Sequence, residues 1–205
     1  MNKAILAWIN CYGAWDPINR SPVETIGYDQ YLDGVVRALG VLDGRLQAVY
    51  IAGGMYDSLG KTECETVAPE LLRRLRSNNS AVSEIAADEM SVTSIGIART
   101  FLQTWQEKHS DTIPLLFCDQ VRYATNAYVL EYFIKELSIP APPVVEMLVP
   151  IERLDTHPNS TPGKQAEKLA TLREKGVLEC ERIELEARKE HVARKIEGQG
   201  FKVYR

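Results

Sequence analysis

Five short stretches of this 205-residue chain bring together side chains able to hold or turn over a polar molecule: Asn10, the pair Gly53-Gly54, Thr62-Glu63-Cys64-Glu65, Ser91-Val92-Thr93 and Asp119-Gln120-Val121-Arg122. Paired glycines permit positive φ angles and let a ligand approach the backbone. A hydroxyl and carboxylates at a helix start satisfy free N–H groups and face the positive end of the helix dipole. Asp119 and Glu63 are the candidate catalytic carboxylates, with Asp119 placed to accept from an amine or hydroxyl or to act as a base. Arg122 is the candidate anion clamp, and Asn10, Gly53, Gly54, Thr62, Glu65, Ser91 and Thr93 complete a candidate ligand-binding set. Each has a plainer reading beside it: Thr62 and Ser91, Thr93 or Ser94 as helix caps, and Asp119 and Arg122 as partners of one another.

The elements that must position these residues follow from apolar runs and breaks. Lys3 to Ile9 has the length and composition of a central parallel strand, and its exit loop carries Tyr12 and Trp15, pocket walls or core caps. Helical spacing from Tyr28 to Val41 leads to a second strand, Gln47 to Ala52, which ends at Gly53-Gly54, and a helix follows over Glu65 to Leu75. A short strand within Ala81 to Ala87 precedes a helix with Ile95, Ala98, Phe101, Leu102 and Trp105 on one face. Thr112 to Cys118 is the next strand, Tyr123 to Leu137 the next helix, and Val144 to Val149 the last strand. Strands alternating with helices predict a three-layer, Rossmann-like α/β fold with a mostly parallel sheet of about five strands, and ligands of such sheets sit over the carboxyl ends of the strands. Residues 1–155 are expected to form this domain. Beyond the Pro- and turn-rich stretch 157–163, a tail rich in Glu, Lys, Arg, Ala and Leu predicts a helical extension, 156–205, packed on the body, with a solvated face or a partner-binding, homo-oligomer-forming one.

Composition bounds the function. Hydrophobic residues at 45% and charged residues at 25% are ordinary globular usage, and a net charge of -4 argues against a broad nucleic-acid footprint. No apolar run approaches bilayer-spanning length and the N-terminus lacks a secretory core, so a cytoplasmic protein without membrane insertion is expected. Cys11, Cys64, Cys118 and Cys180 show no zinc-ligand spacing and read as free thiols, and His109, His157 and His191 are too dispersed for a metal cluster and read as surface residues. A nucleophile at Cys118 lacks a nearby histidine base. The stretch from Gly54 to Thr62 resembles a P-loop, but five residues rather than four precede Gly60-Lys61, and the expected glycine is Met55. Only on that alternative, a nucleotide phosphotransferase, do Lys61 and magnesium enter.

Ile51-Ala52-Gly53-Gly54, Thr62-Glu63, Glu65-Thr66-Val67-Ala68, Glu89-Met90-Ser91-Val92-Thr93-Ser94 and Phe117-Cys118-Asp119-Gln120-Val121-Arg122 occur in the order and placement of the SanA, ElyC and YdcF family, which residues 3–150 resemble. The resemblance implies a doubly wound fold, a link to envelope metabolism and a polar or anionic ligand, with nucleotide-like molecules such as S-adenosylmethionine among the candidates. Members usually carry Glu-Asn where this chain has Ile95-Gly96, a histidine where it has Asp119 and Gln120, and an arginine near the first helix start where it has Tyr31. These departures imply a different ligand or a lapsed activity. A non-catalytic interaction protein with a degenerate pocket is the rival reading.

Overall fold

The computed structural model describes residues 3–12, 22–55, 60–152, 161–189 and 201–205, with backbone only at 22–26. Among the described residues thirteen regular elements follow in order: β1 (Ile5–Asn10), α1 (Pro22–Leu42), β2 (Leu46–Ala52), α2 (Glu63–Ser77), β3 (Ile85–Asp88), α3 (Ser94–Lys108), β4 (Ile113–Asp119), α4 (Tyr123–Glu136), α5 (Val144–Met147), β5 (Leu148–Ile151), α6 (Pro162–Lys175), α7 (Val177–Ala187) and β6 (Lys202–Tyr204). The sheet has the strand order β5-β4-β1-β2-β3-β6, with β1 to β5 parallel and β6 antiparallel to β3. The Rossmann-like three-layer architecture expected from the alternation of strands and helices is therefore present.

Two differences are local. Val144 to Val149 splits: its first four residues form the helical turn α5, capped by Pro143, and β5 pairs with β4 only from Leu148, opposite Leu116. The tail is not wholly helical: Lys202-Val203-Tyr204 adds a sixth strand to β3. Its three residues follow a charged helix and are too short for a periodic signal.

The fully buried β1 is the spine. Its alternation sends Ala7, Ile9 and Cys11 into a core shared with α1 and α2, and Leu6 and Trp8 into a core shared with α3, α4 and the extension. Trp8 stacks on Tyr50 at 4.9 Å and is wholly buried. On the first face Arg74 ties α2 to α1 through Asp29 and Asp33. On the second, Arg99 grips the buried carboxylate of Glu181 with two hydrogen bonds of 3.0 and 2.7 Å, and Lys168 bridges Ser94 and Glu184. Val177, Cys180 and Leu172 bury against that face, so the inner side of the extension is already occupied by the body. The chain enters β2 from β1 on one side and reaches β4 from β3 on the other, which makes the carboxyl ends of β1 and β4 the point where strand order reverses. Among the described residues no helix is long and apolar enough to cross a membrane.

Candidate functional site

The candidate residues all lie at the carboxyl end of the sheet, and the structure sorts them into two groups. Gly53, Gly54, Thr62, Glu63, Glu65, Ser91 and Thr93 gather where β2, α2, β3 and the start of α3 meet. Asn10, Asp119 and Arg122 gather at the reversal between β1 and β4.

The first group is closed on itself. Thr62 and Glu65 form a capping box: the Glu65 N–H donates to Thr62 Oγ1 at 3.1 Å and the Thr62 N–H donates to Glu65 Oε2 at 2.8 Å. The Glu63 N–H donates to the Met55 carbonyl at 2.9 Å and the Cys64 N–H to the Gly53 carbonyl at 3.1 Å. The first-turn donors of α2, expected to hold a phosphate-like group, are thus all engaged within the chain. The Gly53 and Gly54 N–H groups likewise donate to the Asp88 and Ser91 carbonyls, at 3.1 and 3.0 Å. Gly53 is small for a different reason than ligand approach: a Cβ there would lie 2.5 Å from Cys11 Cβ and 2.9 Å from Glu63 Cβ. Lys202 pairs with Glu65 at 3.0 Å, and the Tyr204 hydroxyl donates to Glu89. Burial works to raise the Glu65 pKa, but the Thr62 N–H and Lys202 outweigh it and hold the carboxyl below its usual range. Thr93 caps α3 by accepting from the Gly96 N–H at 2.8 Å, the Asp88 carboxylate accepts from the Met90 and Ser91 N–H groups, and the Ser91 hydroxyl meets Thr100.

The second group is unlike it. Asn10 lies on the face that takes Leu6 and Trp8, and one step beyond the Ile9–Phe117 register its neighbour on β4 is Cys118. Its Oδ1 is buried and has no hydrogen-bond partner among the described residues. Asn126, on the first turn of α4, has a buried Nδ2 that faces the Cys118 thiol, a weak acceptor, and meets no nitrogen or oxygen acceptor among the described residues. An unpaired buried amide atom carries a desolvation penalty of about 1–3 kcal/mol, and buried polar groups are otherwise nearly always paired. On the other face the Asp119 carboxylate caps the turn that follows β4, accepting from the Arg122 N–H at 3.0 Å, and pairs with the Arg122 guanidinium at 3.3 Å. The mutual pairing read from sequence is therefore present. Arg122 lies over Tyr12, 4.0 Å from the ring centroid, and the Tyr12 hydroxyl accepts from the Asp119 N–H at 3.1 Å. Tyr31 reaches the reversal point from α1, donating to the Asn10 carbonyl at 2.9 Å, with the Phe117 carbonyl 3.4 Å away. Burial pushes the Tyr12 and Tyr31 hydroxyls well up, so both stay protonated.

Asn126 is the residue that site reasoning from sequence left out, whereas the sequence marks Tyr12 as a pocket wall or core cap and Tyr31 as a departure from the family pattern. Asn126 stands four residues after Arg122, one helical turn along, which is the signal that would have found it. Burial pushes the Cys118 thiol up to about 12, which keeps it protonated and weakly nucleophilic at neutral pH. His109 is half-buried against Tyr50, whose hydroxyl lies 3.2 Å from its Nε2, rather than a free surface group; His157 and His191 lie outside the described residues, as do Trp15 and 56–59 of the P-loop-like stretch. The four cysteines are free thiols as expected, all of them buried. Among the described residues no cluster of His, Cys, Asp and Glu fits a metal ion. A cleft of about 440 Å3 opens at the opposite end of the sheet, between Leu46–Tyr50 and the chain entering β3, where no candidate residue lies.

No family model matches the chain, and no curated protein or solved structure is similar enough to count as a match.

Proposed function

We propose that the protein binds a small polar or anionic molecule in the crevice between the carboxyl ends of β1 and β4, and that it is a divergent member of the SanA, ElyC and YdcF family. The observation that carries the ligand reading is the pair of buried amide atoms without a nitrogen or oxygen partner among the described residues, Asn10 Oδ1 and Asn126 Nδ2, both near Cys118. A molecule offering one donor and one acceptor satisfies both. Arg122, held against Tyr12, supplies the positive charge for an anionic group, and Asp119 is the carboxylate placed for proton transfer; the order of the strand-end motifs supports the family assignment. A nucleotide-like ligand such as S-adenosylmethionine has the required mixture of edge hydrogen bonds and charge. The occupied donors of α2 favour the crevice over the glycine corner, and they leave a P-loop-like phosphate cradle without its helix-terminal donors.

The test is thermal unfolding with S-adenosylmethionine, ATP with magnesium, sugar nucleotides and inorganic phosphate, each at millimolar concentration. A ligand at a hundred times its dissociation constant stabilises by about 2.7 kcal/mol, a Tm rise of about 5–10 °C. The rise is expected to vanish in Asn10→Ala and Arg122→Ala and to survive in Lys61→Ala. No shift with any of these ligands, or a shift lost in Lys61→Ala alone, overturns the crevice assignment.

A further inference from the structure

We infer that Cys11 and Cys64 are a redox-modification site: a dithiol at the junction of β1 and α2 that peroxides convert to an intramolecular disulfide. The inference is independent of any ligand in the crevice. Cys11 follows the last residue of β1 and Cys64 is the second residue of α2, yet both press on Gly53. The Cys64 N–H donates to the Gly53 carbonyl at 3.1 Å, and the space where a Gly53 Cβ would stand is filled by Cys11 Cβ, 2.5 Å away. The absence of a side chain at Gly53 is what makes room for Cys11 beside the start of α2. The two side chains enter one buried cluster, each thiol affects the other's titration, and the Cys64 thiol points at the Ile51 and Asp88 carbonyls, each 3.6 Å from its sulfur. A disulfide requires Cβ atoms about 3.5–4.5 Å apart, and it is this approach of the two side chains beside Gly53 that the oxidation tests.

The two thiols are not equivalent. Cys11 keeps 6% of its surface exposed and Cys64 none, so a small oxidant reaches Cys11 first. The Cys11 thiolate attacks one oxygen of hydrogen peroxide; the O–O bond breaks, a sulfenic acid forms on Cys11, and the departing hydroxide takes up the thiol proton as water. The Cys64 sulfur then attacks the Cys11 sulfur, the S–O bond breaks, and the leaving hydroxide departs with the Cys64 proton as a second water. Two electrons and two protons leave the pair, and the peroxide receives them. Burial, with the Glu63 and Asp88 carboxylates nearby, holds the Cys11 thiol protonated at neutral pH, so the reaction quickens as the pH rises.

The experiment oxidises the reduced full-length chain with hydrogen peroxide, denatures it, alkylates the remaining thiols and maps tryptic peptides without reduction. The expected product is peptide 4–20 joined to peptide 62–73, with two of the four thiols alkylated, and dithiothreitol restores all four. The oxidised protein is expected to melt about 10 °C higher, the scale for a cross-link closing a loop of this length. Cys118→Ser is expected to leave the cross-link intact. A cross-link through Cys118 or Cys180, sulfinic acid on Cys11 with a free Cys64, or four unmodified thiols at pH 8.5 each overturns the inference; the map of the unsubstituted chain decides it even if a Cys64→Ser variant fails to fold.

Discussion

The glycine corner around Gly53 and the strand-order reversal around Asn10 sit side by side at the carboxyl end of the sheet, and they use polarity in opposite ways. At the corner the helix-start donors of α2 have partners inside the chain, Thr62 and Thr93 are caps, the Ser91 hydroxyl meets Thr100, and the glycine makes room for neighbouring side chains. At the crevice two buried amide atoms are left without partners among the described residues. Polar residues that look like binding groups by type are spent on architecture in the first place, whereas the second keeps an energetic deficit that a ligand would relieve.

That contrast can be broken by substitution. The largest effect is expected from Gly53→Val, whose side chain meets Cys11 Cβ and Glu63 Cβ at under 3.0 Å. Overpacking of this kind costs about 3 kcal/mol, read as a Tm fall of about 10 °C. A fall of under about 2 °C would show that the corner is loose and reopen it as a ligand site. Next comes a matched pair in urea unfolding. Thr62→Ala removes half of the capping box and is expected to cost about 1 kcal/mol, whereas Asn126→Leu removes an unpaired amide and is expected to be neutral or to stabilise by about 1 kcal/mol. If Asn126→Leu destabilises as much as Thr62→Ala, the crevice is satisfied architecture too. The smallest effect concerns pH. Because the Glu65 carboxyl lies below its ordinary value of 4.5 in the folded chain, it stabilises above that pH, and the contribution is lost as pH falls through the folded value. Lys202→Ala is expected to shrink this acid-dependent loss by about 0.5 kcal/mol, a small figure because the pair is partly exposed. An unchanged pH profile would assign the effect to the Thr62 N–H alone.

Much of the fold was legible in the sequence because the apolar runs of β1, β2 and β4 are long and the intervening helices keep their spacing. The glycine pair, the Thr62 cap and the Asp119–Arg122 neighbourhood were legible as places. Their roles were not, since type and spacing do not reveal whether an N–H already has a partner: Thr62 looks the same whether it caps a helix or grips a phosphate. Asn126 was hidden because a single amide on an otherwise ordinary helix face acquires meaning only from what surrounds it. Likewise β6 depends on a pairing between segments far apart in the chain, and Val144 to Met147 form a helical turn after Pro143 against the β-branched preference of the two valines.

The pairing of β6 with β3 also sets an order of events during synthesis. Ile85 leaves the ribosome long before its partner Tyr204 exists, so the four-residue β3 emerges with bare N–H and C=O groups along one side. For that interval the nascent chain carries an open template to which another nascent copy can add a strand, and the risk ends only when residues 202–204 dock.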